Sequence, residues 1–72
     1  MSSLTWGDTV RVKAGASPER RPGACAEVCG IREIETPEQA RQFEAPLGSK
    51  LYLVEFGDGQ ALEIPEIWIE PA

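Results

Sequence analysis

The sequence predicts a mainly β domain: five short strands curled into one small barrel, with a single short helix inserted between the second and third. Three observations predict it. The apolar runs are short and bounded by Gly, Pro and Asp, the punctuation of strands and turns. Thr9-Val10-Arg11-Val12-Lys13 alternates strictly between polar and apolar, the period of a half-buried strand. Lys50 to Phe56 is apolar on both faces and runs into Gly57-Asp58-Gly59, whose glycines suit a tight hairpin turn.

Each element has its own signal. Trp6-Gly7-Asp8 reads as a lead-in turn, after which Val10 and Val12 face inward. Residues 14–23 are small and polar, with Gly15, Pro18, Pro22 and Gly23. They predict a long loop of the kind that carries function. The second strand spans Ala24 to Ile34, and its best core candidates are Val28, Ile31 and Ile34. Their spacing of three breaks the strand period of two, and Gly30 accounts for this by allowing a bulge.

Thr36-Pro37-Glu38-Gln39 is a helix start. Thr36 can cap, Pro37 suits the first helical position, and Gln39 completes a capping box. The helix is expected from Pro37 to Phe43 or Glu44, with Ala40 and Phe43 as a lid over the core. Pro46 and Gly48 end it. The third strand, Lys50–Phe56, reads as central and covered on both sides. Gln60 to Ile64 returns, Pro65 to Trp68 suits one 3-10 turn, and Ile69-Glu70 closes the chain as a last strand. The expected core is Val10, Val12, Val28, Ile31, Val54, Phe56, Leu62 and Ile64.

Size bounds the function. A chain of 72 residues forms one domain, spanning 1–72, and its function must sit on the outside of one filled core. No apolar run is long enough for a membrane span. Met1-Ser2-Ser3-Leu4 lacks the charged and apolar regions of a secretory signal, so a cytoplasmic location is expected.

The charge is divided. Residues 1–32 hold five basic and three acidic side chains, a net of +2, and residues 33–72 hold two basic and nine acidic, a net of −7. Such a surface repels phosphate and attracts basic partners, or simply keeps a small protein in solution. Cys25 and Cys29 are four residues apart, about 13 Å in a regular strand, too far for a disulfide. They read as small buried hydrophobes.

Enzymatic chemistry is not expected. There is no histidine, hence no histidine base or triad and no ready metal cluster. Gly57-Asp58-Gly59 is too short for a phosphate loop and leads into a strand. Ser2, Ser3, Ser17 and Ser49 lie in expected loops beside no recognisable base. No cofactor and no metal is expected. A nucleic-acid surface would have to come from Arg11, Lys13, Arg20 and Arg21, and the net charge opposes it.

The second half offers a different surface. Trp6 and Trp68 are of the type that anchors interfaces. With Asp58, Glu63, Glu66 and Glu70 they would form an acidic, aromatic patch suited to a basic protein partner. Trp68 stays open between core and interface, whereas Tyr52, on the central strand, is assigned to the core.

The order of strand, long loop, three strands, 3-10 turn and strand is that of SH3-like barrels. Three stretches taken together resemble bacterial barrels of that kind. They are Trp6 to Val12, Arg21-Pro22-Gly23 followed by Val28 and Ile31, and Leu51 to Phe56 with the ending Trp68-Ile69-Glu70-Pro71. One relative is the barrel domain of the nitrile hydratase β subunit, which implies an accessory or stabilising part of a larger enzyme. Val28 to Ile31, Tyr52-Leu53-Val54 and Glu66 to Pro71 also resemble small immunity proteins of bacterial toxin systems, of the immunity protein 31 kind. That resemblance implies a non-catalytic module that neutralises a toxin through its surface. The inserted helix matches neither family.

Overall fold

The structure is a computed structural model and describes residues 4–72, so Ser2 and Ser3 lie outside it. Five antiparallel strands form one sheet: β1 (Thr9–Val12), β2 (Cys25–Glu33), β3 (Lys50–Phe56), β4 (Ala61–Pro65) and β5 (Ile69–Pro71). Their order across the sheet is β4-β3-β2-β1-β5, so the last strand returns to pair with the first. One helix, α1 (Pro37–Phe43), sits between β2 and β3 as expected. None of the helices among the described residues is long and apolar enough to cross a membrane.

β2 shapes the sheet. Its start, Cys25 to Glu27, pairs with β1, while Ala26 to Glu33 pairs with β3. The β3 register skips Cys29, since Val28 lies opposite Val54 and Gly30 opposite Leu53. This is the bulge that the three-residue spacing called for, with Cys29 as the extra residue.

The alternation sorts the side chains into two clusters. Tyr52, Val54 and Phe56 project from one face of β3 into the main core, where they meet Val10, Val12, Ala26, Val28, Ile64 and Ile69. Ile31 and Leu62 are only half-buried and pack at the margin of this core. They reach it where the sheet runs out of covering strands, so two of the expected core positions stay partly wet. The opposite face of β3 sends Leu51 into a second, smaller cluster with Ile34 and Ala45, flanked by Ala40 and Phe43. The helix therefore covers a core of its own. Leu53, next along that face, is only half-covered, so β3 is doubly covered at one end alone.

Helix α1 begins and ends on local chemistry. The Gln39 N–H donates to Thr36 Oγ1 at 3.1 Å, and the Glu35 N–H donates to Gln39 Oε1 at 2.8 Å. The first bond satisfies a donor that the first turn leaves open, and the second ties the Gln39 side chain to the residue before the cap, Glu35, where a capping box would reach Thr36 itself. Glu44 stops the helix with a left-handed φ of 54°. The excursion closes where the Ile34 N–H donates to the Ser49 carbonyl and the Gly48 N–H donates to the Ile34 carbonyl. Thr36→Ala is expected to cost ~1 kcal/mol, measured as a lower urea midpoint with an unchanged slope.

The loop between β1 and β2 is more ordered than its composition predicts. Pro18–Arg20 forms a 3-10 turn and Ala16 is buried in the main core. The Arg20 guanidinium donates to the Phe43 carbonyl at 3.1 Å and ties this turn to the end of α1. A second 3-10 turn, Glu66–Trp68, joins β4 to β5 as the Pro65 signal predicts.

Candidate functional site

The two tryptophans have different surroundings. Trp6 is 68% exposed. It sits in a tight turn in which the Asp8 N–H donates to the Thr5 carbonyl and the Thr5 N–H donates to Asp8 Oδ2. Gly7 takes the positive φ of 87° that the turn needs, and its N–H donates to the Val28 carbonyl of β2 at 2.9 Å. The turn is thus pinned to the sheet while the indole stays in solvent.

Trp68 is half-buried and packs at the edge of the main core. Its ring lies so close to Gly15 that a Cβ there would stand 3.4 Å from Cζ3. Its carbonyl accepts the Lys13 N–H at 2.8 Å. Trp68 therefore fastens the first loop onto β5 more than it faces a partner.

Among the acidic residues of the expected patch, three are already engaged. Asp58 accepts from Arg21 Nη1 at 3.1 Å and from the Gln60 N–H at 3.0 Å. Arg21 also donates to Gln60 Oε1 and lies over the Phe56 ring, 4.3 Å from its centroid. The Gln60 N–H first, and Arg21 second, hold the Asp58 carboxyl below its ordinary value. A carboxyl lowered in the folded state stabilises the fold above its unfolded pKa, near 3.8, and the contribution is lost as pH falls through the folded value. Asp58→Asn is accordingly expected to flatten the acid limb of a stability profile below about pH 4. Thermal melts from pH 2 to 7 would measure this, and an unchanged acid limb would count against it.

Glu63 and Arg32 form a two-pronged ion pair, with Arg32 Nε and Nη2 each 2.7 Å from a carboxylate oxygen. Glu66 Oε1 accepts the Lys50 N–H at 3.3 Å. Glu70 lies opposite Arg11 in the β1–β5 ladder. The six expected residues thus fall on the Trp6 turn, the β3–β4 hairpin, β4, the Glu66–Trp68 turn and β5, and most of their carboxylates are engaged locally. The basic set is divided too. Arg20 reaches for α1 and Arg21 for the hairpin, while Arg11 and Lys13 stay exposed near β5.

What the fold does bring together is the outer face of β2, β3 and β4. Glu27 and Glu55 lie directly opposite each other there, both exposed. Like charges so placed repel. Beside them Gly30, Leu53 and Glu63 form a row across the three strands. An open recess of about 240 Å³ lies here, lined by Gly30, Ile31, Arg32, Leu51, Leu53 and Glu63. Cys25 and Cys29 are exposed free thiols, contrary to their expected burial. The alternation of β2 turns Ala26 and Val28 inward and so turns both cysteines outward. Cys29 Sγ lies 3.9 Å from Glu55 Oε1.

Comparison with known protein families, curated proteins and solved structures finds no match to this chain. The site is therefore read from its own chemistry. Ser49 Oγ donates to the Pro46 carbonyl, and among the described residues no three His, Cys, Asp or Glu side chains converge to hold a metal. The outer face of β2, β3 and β4 offers an apolar recess and surplus negative charge, and the lead-in turn offers an exposed aromatic.

Sequence reasoning missed Glu27, Glu55 and the recess. Glu27 and Glu55 do occupy outward positions of their strands, but only the β2–β3 register makes them neighbours.

Proposed function

We propose that this chain is a non-catalytic protein-binding module for a basic partner, and that it acts as an immunity protein of SH3-like architecture that neutralises a toxin. The observation that carries the reading is Trp6, 68% exposed on a turn hydrogen-bonded at both ends. A large apolar ring on a turn whose backbone is already ordered gains on association with little further loss of backbone entropy. The facing carboxylates of Glu27 and Glu55 and the overall charge of −5 favour a basic surface.

The test is direct. Proteins encoded beside this gene are purified and titrated against the chain by calorimetry, and any that are toxic are assayed for neutralisation. Trp6→Ala is expected to weaken binding about thirtyfold, the ~2 kcal/mol of an interface hot spot. Glu27→Lys with Glu55→Lys is expected to slow association and reduce its salt dependence. No binding and no neutralisation with any neighbouring product, or a partner indifferent to Trp6→Ala, would overturn the reading.

A further inference from the structure

The outer face of β3 repeats every second residue: Leu51, Leu53 and Glu55 project from it in turn. Leu51 is covered by the helix cluster. Leu53 is half-open, because its neighbour across the β2 ladder is Gly30, which has no side chain to lay over it. The recess of about 240 Å³ is the result. It is smaller than the pockets that enclose whole cofactors or drug-sized ligands, and suits a single side chain.

Charge around the recess is unbalanced. Arg32 is spent on Glu63 through both prongs of its guanidinium, and this pair forms one wall. Glu27 and Glu55, beyond Leu53, face each other with no cation within ion-pair distance among the described residues. The three carboxylates and one guanidinium leave this face at −2. A second copy packed through the same face would set those carboxylates against their own kind, and the surplus charge favours a basic partner.

We infer that the recess between Gly30, Leu51 and Leu53 receives one apolar side chain of an extended basic segment, whose lysine or arginine two residues away lies over Glu27 and Glu55. The spacing supports the pairing. Leu53 and Glu55 are two residues apart on one strand face, about 7 Å, and an extended ligand repeats its own side chains at that interval. The inference rests on the binding-module reading and names the chemistry of the partner it would take.

The probe is the peptide acetyl-Lys-Ser-Leu-Ser-Lys-amide, titrated into the isotope-labelled full chain and followed by amide chemical shifts. Two controls replace its leucine by alanine or both lysines by glutamate. The expected result is a set of shifts centred on Gly30, Ile31 and Leu53 with the leucine–lysine peptide. Affinity should be at least about fivefold weaker with alanine and immeasurable with glutamate.

Gly30→Val should fill the recess and reduce the leucine peptide to the affinity of the alanine one. The backbone at Gly30 has no positive φ, and a Cβ there meets Leu53 at ordinary contact distance. Leu53→Gln, which leaves the bulge alone, should do the same. Equal binding of the leucine and alanine peptides, shifts centred elsewhere, or wild-type affinity in both variants would overturn the inference. A partner protein that binds wild type and Gly30→Val alike would remove the recess from the interface and leave the module reading intact. A leucine peptide seated at Gly30 and Leu53, with no neighbouring gene product bound, would do the reverse.

Discussion

Phe56→Ala is expected to destabilise the domain by ~3–5 kcal/mol, the usual cost of removing a large core aromatic. The position is 3% exposed and sits among Val28, Val54 and Ile64 in the main cluster. Stability of about 0.05–0.15 kcal/mol per residue gives a 72-residue chain roughly 4–11 kcal/mol in all. The substitution thus removes a large share of the total. The ring also carries the Arg21 guanidinium, so its loss frees the first loop from the β3–β4 hairpin. Phe56→Leu keeps most of the volume and should cost under about 1.5 kcal/mol. Urea titration would read both as lower midpoints. A Phe56→Ala penalty under about 1 kcal/mol would mean that Phe56 is not packed as described.

Leu51→Ala should also cost ~2–5 kcal/mol, but with a different signature. Leu51 is 1% exposed in the smaller cluster with Ile34 and Ala45, beneath the helix. A helix of seven residues has no stability of its own, so this cluster and the Thr36 cap hold it. Emptying the cluster should release α1 before the sheet opens. Amide exchange is the measurement: the α1 amides should lose protection while those of β1 and the first half of β2 keep most of theirs. Uniform loss of protection would show that the two clusters act as one cooperative unit.

The fold was largely legible in the sequence wherever a local rule governed it. Lys50–Phe56 forms β3 with the bounds its apolar run suggests. The three-residue spacing of Val28 and Ile31 pointed to a bulge beside Gly30. Thr36 caps the Gln39 N–H as their spacing allows, while the Gln39 side chain reaches back to the N–H of Glu35. In each case the physics lies within a few residues. The candidate site was far less legible, because it depends on pairings across 26 to 37 residues. Arg21 meets Asp58, Arg32 meets Glu63, and Cys29 approaches Glu55 only through strand register. The 3-10 turn at Pro18 was missed because small polar residues hide the anchor, Ala16, whose burial no periodicity marks. The split of the core was missed because β3 reads as apolar on both faces whether or not both are covered.

The outward cysteines carry one more consequence. Cys25 and Cys29 both point away from the core on one strand, with Glu27 between them. Their separation, near 13 Å less whatever the bulge removes, exceeds the roughly 7 Å within which a sulfur–sulfur bridge can close. Oxidation therefore has only other chains to join. Each molecule becomes a link with two open ends, and an oxidising solution should string the protein into covalent ladders that a reductant dissolves.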